Sequence, residues 1–296
     1  MRRLAHLHGP VPRMRSRKNL KGRTSYRHCM DEPSLYIDFL AFSATQKPVG
    51  PLEQRIISFL ESEPSSESLD SPTFANINGS QSKADYLLGG SCIVAELKTI
   101  DGDPTDRITR RLKERFAQPG APLVYGTVGF SRVIEALPDK SMFSKIVADV
   151  MTRAVRRHLQ KANQQIGAIK ARLGLPHAGG LVILMNDSEP MIDAGMIGYS
   201  LKAALETVPE AYPHITNVWA SIESHRVRMP GGRVGYPQIH LYKSFERQAE
   251  LQYIAQMLPA WARVNGSKIE RLAHRGDWDF LLPIFDGPTP RVSPFS

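Results

Sequence analysis

The sequence predicts an α/β fold in the order helix, three strands, helix, strand. Two helical patterns and one buried strand carry that expectation. Residues 52–60 place Leu52, Ile56, Ile57 and Leu60 at helical spacing behind Pro51, a residue suited to a first helical turn. Residues 143–173 read as one long helix ended by Gly174 and Pro176. Residues 179–185 form a short continuous apolar run between glycine and polar signals, as a buried strand does.

The bulk properties suit such a fold. A chain of 296 residues can bury a full core, and 42% hydrophobic with 23% charged residues is ordinary for a globular protein. No apolar run reaches the roughly 18 residues that span a bilayer, so an integral membrane protein is not expected. The arginines near the start precede no apolar segment of secretory type. With only Cys29 and Cys92, a disulfide framework or cysteine-held zinc is not expected, and a reducing cytoplasm fits.

Charge is concentrated at one end. Residues 1–28 hold nine basic residues and no acid, which equals the net charge of +9 and leaves 29 basic against 29 acidic residues elsewhere. Residues 1–33 are expected to be a disordered basic tail that binds phosphates by releasing counterions, or an extension that plays no part.

The remaining elements follow in order. Residues 35–42 are an apolar stretch, helix or strand. Residues 62–72, rich in serine, glutamate and proline, read as a loop, and residues 73–77 as a first strand. Residues 84–100 read as a hairpin about Gly89-Gly90. Residues 101–106 are turn chemistry, with aspartates as turn formers and an N-cap rather than metal ligands. A short basic helix over 107–116 and a β-like segment over 123–130 come next. In the long helix, Val147, Val150, Met151, Ala154, Val155, Ala162, Ile166, Ile169 and Leu173 form the apolar stripe. Arg153, Arg156, Arg157, Lys161 and Lys170 occupy the other faces, as on an ordinary solvated helix. Beyond 190, residues 191–208 and 247–264 read as helices and 217–223 and 238–243 as strands, with a basic, glycine-bearing loop over 226–235. The expected organisation is a core over 34–190 and an extension over 191–296 packed on it.

The most informative residues are Asp85, Glu96 and Lys98, because charges in an apolar strand are rare unless paired, metal-bound or reactive. Side chains alternate along a strand, so Glu96 and Lys98 point with Val94, away from Ala95 and Leu97. A two-residue Gly89-Gly90 turn sets Leu88 opposite Ser91 and Asp85 opposite Val94. Asp85 then shares a face with Glu96 as its diagonal neighbour, roughly 7–8 Å away at Cα. A three-residue turn would throw Asp85 to the opposite face. Two carboxylates so placed can converge on one divalent ion.

Asp85 with Glu96-Leu97-Lys98 resembles the active-site motif of the PD-(D/E)XK nuclease superfamily, also called restriction-endonuclease-like. The resemblance spans roughly residues 51–187, and Ala84 stands where the family's eponymous proline would be. It implies an αβββαβ core with a mixed central sheet flanked by helices. It also implies catalysis by Asp85, Glu96 and Lys98, with Asp85, Glu96 and the Leu97 carbonyl holding Mg²⁺ or Mn²⁺. Many members place a glutamine or basic residue on the following helix, where Lys161, Gln164 and Gln165 are the candidates. Some use an acid on the first helix, here Glu53, although a surface glutamate is the plainer reading. Arg226, Arg228 and Arg233 are candidates for contacting a phosphate backbone, or form a solvated hairpin tip. The expected activity is metal-dependent hydrolysis of nucleic acid, with DNA as partner and no membrane. The alternatives are a catalytically silent nucleic-acid-binding or assembly protein of the same fold, or an unrelated α/β enzyme. The sequence leaves open whether the protein works as a homodimer.

Overall fold

The structure is a computed structural model. It describes residues 35–43, 47–77, 83–100, 110, 114, 128–129, 140–189, 192–207, 209–272, 281, 283–284 and 291–292. The expectations for the tail, for residues 101–106, and for nearly all of 107–116 and 123–130 lie outside these.

In chain order the elements begin with β1 (Tyr36–Ser43), α1 (Leu52–Ser62), β2 (Ser66–Ser68), β3 (Tyr86–Leu88), β4 (Ile93–Thr99) and β5 (Val128–Gly129). The chain continues through α2 (Lys140–Leu173), β6 (Gly179–Asn186), α3 (Ala194–Thr207), β7 (Asn217–Ile222), β8 (Val227–Arg228) and β9 (Val234–Tyr242). It closes with α4 (Gln248–Val264), β10 (Ile269–Arg271) and β11 (Arg291–Val292).

Nine strands form one mixed, open sheet in the order β10-β1-β9-β7-β6-β4-β3-β2, with β8 added beside β9. The pairs β4–β6 and β6–β7 are parallel and the others antiparallel. Strands β5 and β11 make a separate ribbon.

Helices cover both faces of the sheet. Val94, Val182, Leu184 and Val218 pack with Val155, Leu159, Ile166 and Ile169 of α2 and Ile197 and Leu201 of α3. Ile93, Ala95, Leu181, Ile183 and Trp219 pack with Ile56 and Leu60 of α1 and Ile254 and Trp261 of α4. The central strands are buried on both faces, which is why β6 reads as an unbroken apolar run. Among the described residues no helix is long and apolar enough to cross a membrane.

Two expectations need correction. Residues 73–77 lie in a 3₁₀ segment, Pro72–Ile77, and the first strand of the meander is β2, within the stretch read as a loop. β2 ends the sheet, where short polar strands protect an edge, so its Ser-Glu-Ser composition hides it from an apolar-pattern reading. Second, the β3–β4 connection has four residues. The register pairs Leu88 with Ile93 and Tyr86 with Ala95. Gly89, Gly90 and Ser91 all take positive φ (59°, 64° and 71°), so the chain coils in a left-handed path that a two-residue turn does not need.

Candidate metal centre

The longer loop moves the register by two residues, which leaves every side chain on its expected face. Continuing the β3–β4 pairing by one residue puts Asp85 directly opposite Glu96, where Val94 was expected. The ladder breaks there. The Asp85 N–H donates to the Ala95 carbonyl at 3.1 Å, and the Asp85 carbonyl turns away to accept from Leu69 at 2.9 Å. The Asp85 side chain takes over the missing strand pairing, its Oδ2 accepting the Leu97 N–H at 2.7 Å. In a strand the N–H and C=O of one residue point the same way. The Leu97 carbonyl therefore faces the gap left where β3 ends.

The carboxyls of Asp85 and Glu96 are within hydrogen-bonding reach of each other. Lys98 Nζ donates to Glu96 Oε1. Glu96 is 1% exposed, and its Oε2 is buried without any N–H or hydroxyl donor. Burial, then the neighbouring Asp85 charge, push the Glu96 carboxyl up to about 8, despite the opposing pull of Lys98. Burial also raises Asp85, against the Leu97 N–H and the Lys98 charge. Two carboxyls facing each other cannot both ionise unless positive charge enters between them. Leaving a buried charged oxygen unsatisfied costs about 1–3 kcal/mol or more.

The donor set fits a hard divalent cation: two carboxylates, one carrying an orphaned oxygen, beside a backbone carbonyl at a strand end. Among the described residues no group of three or more His, Cys, Asp or Glu is gathered for a metal. A cation here would keep several waters, as magnesium commonly does.

The helix above the site distinguishes the three α2 candidates. Gln165 is buried, and its Nε2 donates to the Lys83 carbonyl at 2.7 Å, two residues before Asp85. Its Oε1 is buried with no donor. Lys161 and Gln164 are exposed. The sequence held the signal: Gln165 sits between Ala162 and Ile166 on the buried stripe, whereas Gln164 is one residue off it.

Other candidates stand apart. Glu53 Oε2 accepts from Thr99 Oγ1 at 3.1 Å, and Thr99 alternates to the α1 face of β4, opposite Glu96 and Lys98. Arg233 is committed to Glu270 by two 2.5 Å hydrogen bonds. Arg226 belongs to a bridge with Ile284. Arg228 is exposed on β8, which pairs with the side of β9 that β7 leaves, two strand spacings from β4 and five residues beyond the level of Lys98 along β9.

No family model matches the chain, and neither the curated proteins nor the solved structures contain a match.

Proposed function

We propose that the protein is a divalent-metal-dependent nuclease of PD-(D/E)XK type. One observation carries the reading. Asp85 and Glu96 meet carboxyl to carboxyl where an antiparallel strand ends, Glu96 Oε2 lacks a donor, and Lys98 lies on the same face. Apart from β5, which pairs outside the main sheet, the order α1–β2–β3–β4–α2–β6, with β2–β3–β4 an antiparallel meander and β6 parallel to β4, supports it.

In this reading Asp85, Glu96 and the Leu97 carbonyl would hold Mg²⁺ or Mn²⁺. When bound, the cation makes water more acidic and offsets charge on the phosphoryl oxygens. Asp85 has a double task, because the carboxylate that would bind the ion also stitches Leu97 to the strand end. Lys98 is held by Glu96 in the metal-free protein. On the same face of β4, its ammonium would orient the attacking water and steady the scissile phosphate. Gln165 fixes the Lys83 carbonyl and so the approach to Asp85.

The test is incubation of the purified chain with Mg²⁺ or Mn²⁺ on plasmid, linear duplex and single-stranded DNA, with EDTA as control. The reading expects cation-dependent cleavage. Binding without cleavage in either metal would favour the catalytically silent alternative, and neither binding nor cleavage would overturn both.

A further inference from the structure

We infer that Arg153, Arg157 and Lys161 of α2 form a ridge that docks the sugar-phosphate backbone of the nucleic acid beside the Asp85–Glu96 site. This deepens the nuclease reading by assigning it a binding surface.

The three residues are exposed and follow one another at i, i+4 spacing, so they line one side of the helix over about 12 Å. Residues 150–173 contain no acid. Asp149, exposed one turn before Arg153, precedes them on the helix, and among the described residues no ion pair joins the two, so Arg157 and Lys161 have no acid at i, i+4 spacing. Among the described residues none of the three forms an ion pair. Several exposed or part-exposed bases elsewhere do: Arg233 with Glu270, Arg247 with Glu250, Arg271 with Asp38 and Lys202 with Glu206. Arg228, Arg263 and Lys268 also carry no ion pair among the described residues, but they do not follow one another along a helix. A helix face kept for solubility alone usually mixes signs and gains i, i+4 pairs, whereas three unpaired positive charges in line repel one another. That repulsion is relieved by an anionic partner with several charges in a row. One strand of duplex DNA carries a phosphate every 3.4 Å of axis, so the ridge spans about three to four of them.

Placement ties the ridge to the site. Helix α2 runs back along the sheet to the start of β6, so its earlier residues lie toward the ends of β4 and β6 where Lys98 and Thr99 are. Gln165 fixes the level by bonding the Lys83 carbonyl. Lys161 lies about 6 Å from Gln165 along the axis, and Arg157 and Arg153 follow toward the start of the helix. Each i+4 step also rotates by about 40°, so the row winds from open solvent at Arg153 toward the Gln165 edge. A backbone lying along it is led to the carboxylate pair.

The experiment compares the full chain with Arg153→Gln/Arg157→Gln/Lys161→Gln and with Arg263→Gln/Lys268→Gln/Arg271→Gln. The second variant removes the same charge near the far, β10 edge of the sheet. Binding of labelled 20-base-pair duplex and 20-nucleotide single-stranded DNA is followed by anisotropy in EDTA across a salt series. The ridge variant should bind more weakly, with a log–log salt slope shallower by about 2 to 3 on duplex, while the other variant keeps the parent slope. An unchanged slope, an equal loss in both variants, no binding by the parent at low salt, or parent binding to polyglutamate as tight as to DNA would each overturn the ridge. Hydrolysis of bis(p-nitrophenyl) phosphate with Mn²⁺, which needs the carboxylate pair and no backbone docking, keeps the two claims apart. Loss of DNA binding with that hydrolysis retained supports the ridge. Hydrolysis absent in the parent counts against the nuclease reading and leaves the binding result to judge the ridge alone.

Discussion

Two buried glutamates at opposite ends of the parallel strands have opposite surroundings. Glu250, 5% exposed near the strand starts, is saturated: Thr216 Oγ1 and Asn217 Nδ2 donate to its Oε2 at 2.8 and 3.0 Å, and Arg247 to its Oε1 at 2.5 Å. Glu96, at the other end, meets one lysine and another carboxyl, and one of its oxygens has no donor. Burial of a carboxylate is common to both and separates nothing. What separates them is completeness. Glu250 closes a network that pins α4 to the starts of β6 and β7, whereas the Glu96 pair keeps an oxygen without a donor, which a shared proton or, in the proposed function, a divalent cation would satisfy.

The sharpest way to break this contrast is Glu96→Gln. Cleavage should fall by about 10²-fold or more in a plasmid assay, because an amide cannot anchor a hard cation. The metal-free melting temperature should hold or rise, because Asp85 is relieved of a repelling neighbour and keeps Lys98 nearby. A variant that melts much earlier would place Glu96 in the same structural class as Glu250. The mirror experiment is Glu250→Ala. It should cost about 2–3 kcal/mol in chemical denaturation, since Thr216, Asn217 and Arg247 lose their acceptor together. Metal affinity should not change.

A smaller effect comes from pH. The folded-state pKa of Glu96 is raised from 4.5 to about 8, so the metal-free protein has this contribution in full below about pH 4.5 and loses it as pH rises through about 8. His225 and His240 work at the other limit. Burial lowers both from 6.5 to about 4, so their contribution is full above pH 6.5 and is lost as pH falls through about 4. Melting curves in EDTA should fall on both flanks, and Glu96→Gln should flatten the alkaline flank alone.

Much of the site was legible because its logic is parity. Asp85, Glu96 and Lys98 share a face for any even hairpin loop, so misjudging the loop by two residues changed the neighbour of Asp85 and not its side of the sheet. The loop length was not legible, because it depends on Ser91 accepting a positive φ next to two glycines. β2 was missed because a polar edge strand is defined by its partner, Tyr86–Leu88, some twenty residues away. The choice of Gln165 was within reach of helical periodicity. The ridge needed the structure, since only the exposed, unpaired state of Arg153, Arg157 and Lys161 separates them from a solvated face.

The nuclease proposal requires that a divalent cation bind between Asp85 and Glu96. Calorimetric melting at neutral pH tests it most directly, with EDTA against excess Mg²⁺ or Mn²⁺, for the parent, Asp85→Asn and Glu96→Gln. The cation should raise the parent's melting temperature by about 5 °C and leave both variants unmoved. A parent that ignores the cation, or a shift that survives in both variants, would contradict it.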